Sequence, residues 1–172
     1  MMSMTSLIRL AGLAAILAGV LRVGASFLPA TEPSAPLEWL YLVIDVAIMF
    51  ALVGIYAYQH AESGVLGFVG FVLSVVGTES IGGPDGMIGD LDIYRAGTTV
   101  IGVGLVFLAA GSLRAAKLPV YVPVLWIVST LVAMTTFVAE GSGVPFLIAG
   151  ITFGLGFIGA GLRLWTEPAS SQ

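Results

Sequence analysis

Apolar residues in this chain come in long uninterrupted blocks, broken by short polar or proline-rich stretches. Six blocks stand out, at 7–28, 37–58, 64–77, 96–113, 119–139 and 144–164. Most approach the roughly 20 apolar residues needed to cross a hydrocarbon core of about 30 Å. Neither the strict alternation of a barrel strand nor a polar helix face runs through them. In lipid an unpaired backbone amide costs several kcal/mol, so each block is expected to be helical. The pattern predicts an all-α membrane protein, a bundle of six transmembrane helices in one domain covering 1–172.

The connections are short. Pro29, Pro33 and Pro36 punctuate the first, and the polar run 59–63 the second. The longest, 78–95, holds Gly82-Gly83-Pro84-Asp85-Gly86, a strong turn signal. Its interleaved Ile81, Met87, Ile88, Leu91 and Ile93 suggest a segment that lies on or re-enters the membrane, against the plainer reading of a solvated loop. The N-terminal 21 residues look like a signal peptide's charged and apolar regions. Apolar character continues to Leu28 with no clear cleavage site, so retention as a span is expected.

Charge gives an orientation. With six spans, Arg9, Arg114, Lys117 and Arg163 share one side, opposed only by Glu62 and Glu167. Glu32, Glu38, Glu79, Asp85, Asp90, Asp92 and Glu140 collect on the other. The positive-inside rule then places both termini in the cytoplasm. Trp39, Tyr41 and Tyr94 fall at the outer boundary, and Tyr56, Tyr58, Tyr121 and Trp165 at the inner one, as an aromatic belt requires.

Composition narrows the function classes. The chain is 58% hydrophobic and 9% charged, with a net charge of −4, which gives nucleic acid nothing basic to bind. It has no cysteine, so thiolate chemistry is excluded. A single histidine, His60, and a single lysine, Lys117, leave no bis-histidine haem or buried retinal lysine. No phosphate-binding loop or zinc-ligand spacing occurs. Hydroxyls inside the blocks, such as Ser74, Thr98, Thr99, Ser129, Thr130, Thr135, Thr136 and Thr152, are expected to bond back to helix carbonyls. The expectation is a non-enzyme with no cofactor and no metal.

Small residues mark helix faces. Gly12, Ala15, Gly19 and Arg22 share a face of the first block, and Gly67, Gly70, Ser74 and Gly77 a face of the third. Gly97, Gly104 and Gly111 recur every seven residues in the fourth, and Gly150 and Gly154 are four apart in the sixth. Such faces let backbones approach in lipid, as internal packing or as an association surface. An internal correspondence runs through the chain. Ala11, Gly12, Ile16, Gly19 and Leu28 match Ala96, Gly97, Ile101, Gly104 and Leu113 at an offset of 85. Tyr41 matches Tyr121 at 80, and Ser63-Gly64-Val65 matches Ser142-Gly143-Val144 at 79. It points to two inverted three-helix repeats, weighed against chance similarity between apolar segments.

Asp45 is the sharpest polar signal. It sits among Leu42, Val43, Ile44, Val46 and Ala47, about 10 Å below the outer boundary. A carboxylate there costs about 2.5 kcal/mol or more and normally faces the bundle interior. Arg22 lies at similar depth, so an Arg22–Asp45 ion pair between two antiparallel helices is expected. Asp45→Leu alone should then destabilise the fold. The functional alternative makes Asp45 a proton or cation site. Glu79, Asp85, Asp90, Asp92 and Arg95 form the outer acidic loop, without the spacing of a calcium-binding loop.

The run LIRLAGLAAILAGVL at 7–21, with YLVID at 41–45 and LVGIY at 52–56, resembles the opening of many uncharacterised multi-pass bacterial membrane proteins. The resemblance implies a bacterial plasma (inner) membrane and brings no activity with it. The functional expectation is a non-catalytic accessory or scaffold subunit, or a homo-oligomer, whose partners are the bilayer and other membrane subunits or its own copies. The alternative is a small-solute or ion transporter or channel with Asp45 and Arg22 in the pathway.

Overall fold

The computed structural model describes residues 4–28, 34–81, 87–136 and 143–166. These form five helices: α1 (Met4–Ala25), α2 (Ala35–Ile81), α3 (Ile93–Ala115), α4 (Tyr121–Thr135) and α5 (Gly143–Thr166). A small antiparallel hairpin, β1 (Met87–Ile88) and β2 (Leu91–Asp92), precedes α3. Gly89, at its first turn position, has the positive φ of 62° that such a two-residue turn demands. Four of the helices, α1, α2, α3 and α5, are long and apolar enough to cross a membrane. The protein is therefore a multi-pass helical membrane protein.

The count is five, not the expected six, because the second and third apolar blocks are one element. The polar run 59–63 remains helical, since its side chains find partners without unwinding the backbone. Gln59 Nε2 donates to Ser112 Oγ at 2.7 Å, and His60 Nδ1 lies 2.9 Å from the carbonyl oxygen of Ala57. Only Gly64 leaves helical geometry, with φ 63° and ψ −159°. A straight helix of 47 residues would measure about 70 Å, more than twice a bilayer core. Instead α2 folds back at Gly64. Tyr56 on the first limb (35–63) stacks on Phe71 of the second (65–81), with ring centroids 4.6 Å apart.

Helix α4 has 15 residues, short of a full span. Its expected continuation to 139 and the loop residue Glu140 fall partly outside the described residues, as do Glu32, Asp85 and Glu167. The expected outer loop, 78–95, supplies the last helical turn of α2, the β-hairpin and the first turn of α3.

The glycine faces meet one another inside the chain. A methyl group on Gly12 would lie 2.9 Å from the carbonyl oxygen of Gly161, and one on Gly154 would lie 2.6 Å from that of Gly19. Helices α1 and α5 thus run antiparallel with backbones in contact. The second limb of α2 meets α3 in the same way. A methyl on Gly111 would lie 2.6 Å from Gly67 Cα, one on Gly104 2.7 Å from Ser74 Oγ, and one on Gly77 2.9 Å from Gly97 O. The first limb docks on α1 where Gly54 receives the methyl of Ala11. Large apolar side chains such as Leu17, Phe50, Phe68, Leu131 and Leu162 point outward, where lipid replaces water as their neighbour.

Candidate functional site

Asp45 stands on the first limb of α2, ten residues after its start. Because the chain reverses at Gly64, this point lies opposite Thr78 and Glu79 on the second limb. The two limbs leave a cavity of about 380 Å³ between them, lined by Leu42, Asp45, Val46, Met49, Phe50, Thr78 and Glu79. Thr78 Oγ1 donates to the carbonyl oxygen of Ser74 at 2.8 Å, which fixes the hydroxyl and leaves its lone pairs as acceptors. The polar end of the cavity is therefore rich in acceptors.

Arg22 and Glu79 are the charges close enough to act on Asp45 through space. The guanidinium of Arg22 lies over the ring of Phe146 on α5, 5.5 Å from its centroid, within cation–π range. It also lies beside Gly150, where a methyl group would be 3.9 Å from its Nε. An ion pair within 4.0 Å joins Lys117 to Glu62, at 2.9 Å, and none joins Arg22 to Asp45. Arg22 thus faces α5 and reaches Asp45 only at longer range.

The acidic residues of the expected outer loop separate into different jobs. Glu79 joins the Asp45 cavity. Asp92 caps α3, its Oδ1 accepting from the backbone N–H of Arg95 at 3.0 Å. Asp90 occupies the exposed turn of the β-hairpin, and Arg95 the first turn of α3. Asp85 lies outside the described residues. No group of three or more metal-ligating side chains occurs among the described residues. The chain matches no protein-family model, no curated protein and no solved structure.

At the opposite end of the molecule, polar contacts link α2, the α3–α4 connection and α5. Lys117 Nζ donates to the carbonyl oxygen of Tyr58 at 3.2 Å besides pairing with Glu62, and Arg163 Nε donates to Lys117 O at 3.1 Å. Arg114 closes over the bend, where a methyl on Gly64 would lie 3.2 Å from its Nη1. Gln59 and Ser112 pair behind this layer, both almost fully buried.

The pattern of the chain did not single out Gln59 as an interior residue. It reads as part of a polar turn, yet it comes 14 residues after Asp45, within about 40° of the same helix face. The spacing was the available signal. The hydroxyls behave more simply: Thr98 and Thr99 both donate to Arg95 O, and Thr152 to Ile148 O. Ser129 instead joins helices, its Oγ donating to Ala149 O at 2.9 Å, while Thr130 Oγ1 bonds back to Trp126 O at 3.0 Å and also lies 3.2 Å from Gly102 O on α3.

Proposed function

We propose that this protein is a small transporter or channel for a solute or ion, non-catalytic, with Asp45 in the pathway and Arg22 tuning its field. One observation carries the reading: Asp45, with Glu79 and Thr78, borders an open cavity instead of being sealed by Arg22. A carboxylate this deep in an apolar helix costs stability, and such groups commonly mark ion routes. The accessory-subunit reading asks for a glycine-lined face turned outward. The glycine faces here meet inside the chain, which favours transport over scaffolding.

The architecture we infer is two inverted three-helix repeats: α1 with the limbs of α2, then α3, α4 and α5. The packing registers support it. Moving Gly12 and Gly19 forward by 85 residues gives Gly97 and Gly104, and moving Gly161 and Gly154 back by 80 gives Ile81 and Ser74. Gly12 contacts Gly161 and Gly19 contacts Gly154, while Gly97 contacts Ile81 and Gly104 contacts Ser74. Each first helix thus grips the third helix of the other half, in matching register. Transporters built this way rock one half against the other.

We place the protein in a bacterial plasma membrane with both termini cytoplasmic. Arg9, Arg114, Lys117 and Arg163 gather at one end of the bundle, and Asp45, Glu79, Asp90 and Asp92 toward the other. The cavity then lies toward the outer half of the bilayer, well away from the Lys117 contacts at the inner end. Liposome flux tests the proposal. Purified protein should pass a panel of labelled cations faster than empty liposomes do, and Asp45→Asn should remove at least tenfold of that rate while keeping its helical circular dichroism. Equal flux in wild type, Asp45→Asn and protein-free liposomes overturns it.

A further inference from the structure

The cavity beside Asp45 says more about its occupant than that it is a solute, and this step rests on the transport reading above. Its walls are Leu42, Val46, Met49 and Phe50, and its polar end is the pair of carboxylates from Asp45 and Glu79. A small divalent ion would have to keep most of its water shell against apolar walls, and no group of three or more metal-ligating side chains occurs among the described residues. Paired carboxylates repel an anion. A neutral apolar guest would desolvate both carboxylates without returning anything for the loss.

An organic cation with an apolar body meets both demands. Its charge faces Asp45 and Glu79, and its body replaces lipid or water against the apolar walls. Met49 adds an adaptable, polarisable surface. The volume of about 380 Å³ lies at the small end of the range for ligand pockets, near 300–1,000 Å³.

The entrance faces sideways. Leu42, Val46 and Phe50 are 44%, 50% and 63% exposed, on the outer surface that this protein presents to lipid. A guest can therefore slide in between the two limbs of α2 from the bilayer, its apolar part still in hydrocarbon. We propose that the cavity between the limbs of α2 binds an amphiphilic monovalent organic cation, a lipophilic ammonium or phosphonium, admitted laterally from the membrane.

The test uses the full chain in lipid nanodiscs and radiolabelled tetraphenylphosphonium, with empty nanodiscs as background. Tetraphenylborate, of the same shape and opposite charge, is the control. Saturable binding of the cation is expected, weakened at least tenfold by Asp45→Asn, less by Glu79→Gln, and unchanged by Glu38→Gln, which lies outside the cavity. Val46→Trp, which fills the cavity and leaves both carboxylates in place, should also abolish binding, so the site remains testable if Asp45→Asn does not fold. Binding that survives both Asp45→Asn and Val46→Trp, or borate binding as tight as phosphonium binding, overturns the assignment. Flux separates the two readings. Asp45-dependent binding without flux upholds the site and removes the transporter. Asp45-dependent flux of a hydrophilic ion without phosphonium binding upholds transport and removes this substrate class.

Discussion

Between α4 and α5, Trp126 and Phe157 are fully buried with ring centroids 5.5 Å apart, and Phe153 lies 4.8 Å from Phe157. Gly156 makes the room, since a methyl there would sit 2.5 Å from Trp126 Nε1. Between the two limbs of α2 the ring contacts among the described residues lie near the bend, Tyr56 against Phe71 and Phe68. Further out, Phe50 turns to the exterior and leaves the space beside Asp45 open. The offset of 80 residues that carries Tyr41 to Tyr121 also carries Val46, on the cavity wall, to Trp126. The α4–α5 contact is filled where the space between the α2 limbs is hollow. Interiors are close-packed, and an open space beside a carboxylate forgoes contacts that the filled pair makes. On the transport reading proposed above, the α2 hairpin is the working part and the α4–α5 pair its buttress.

Mutations can break that contrast. Trp126→Ala should have the largest effect, a loss of about 3–5 kcal/mol from the cavity it leaves. Phe50→Ala, on the hollow side, should cost less than about 1 kcal/mol, because little packs against it. Unfolding in mixed micelles, followed by circular dichroism, compares the two, and equal losses would sink the contrast. Next comes Gly64→Ala, expected to cost about 1–3 kcal/mol by the same assay, since φ 63° with ψ −159° is nearly closed to a residue with a Cβ. A variant as stable as wild type would show that the reversal does not depend on glycine.

Asp45→Leu sharpens the comparison by making the hollow half apolar. If Asp45 and Arg22 were a tight buried pair, removing one partner should cost about 3–5 kcal/mol. Arg22 keeps its contact with Phe146, so the expected change is within about 1 kcal/mol, of either sign. The smallest effect belongs to Lys117→Gln. The Lys117–Glu62 pair is partly exposed, at 35% and 45% of side-chain area, and such pairs contribute about 0.2–1 kcal/mol. Its expected signature is a modest drop in midpoint with unchanged binding at the distant cavity.

Much of this architecture is legible in the residue order. Long apolar blocks, glycine faces and the segregation of Arg114, Lys117 and Arg163 from Asp90 and Asp92 follow from local pattern and from the cost of charge in lipid. The fused α2 does not. A polar run from Gln59 to Ser63 reads as a turn, but its partner Ser112 lies 53 residues from Gln59, and only tertiary packing supplies it. That Asp45 and Glu79 border one space was hidden for the same reason, since it exists only once the chain doubles back. The direction of Arg22 depended on Phe146, whose apolar ring gives no sign in sequence that it will receive a guanidinium.

The single-residue reversal at Gly64 acts as a tether on depth. With a single non-helical residue between them, the two limbs cannot slide far past one another along the bilayer normal. Asp45 and Glu79 are therefore held on facing stretches of one hairpin, whatever the helices around it do.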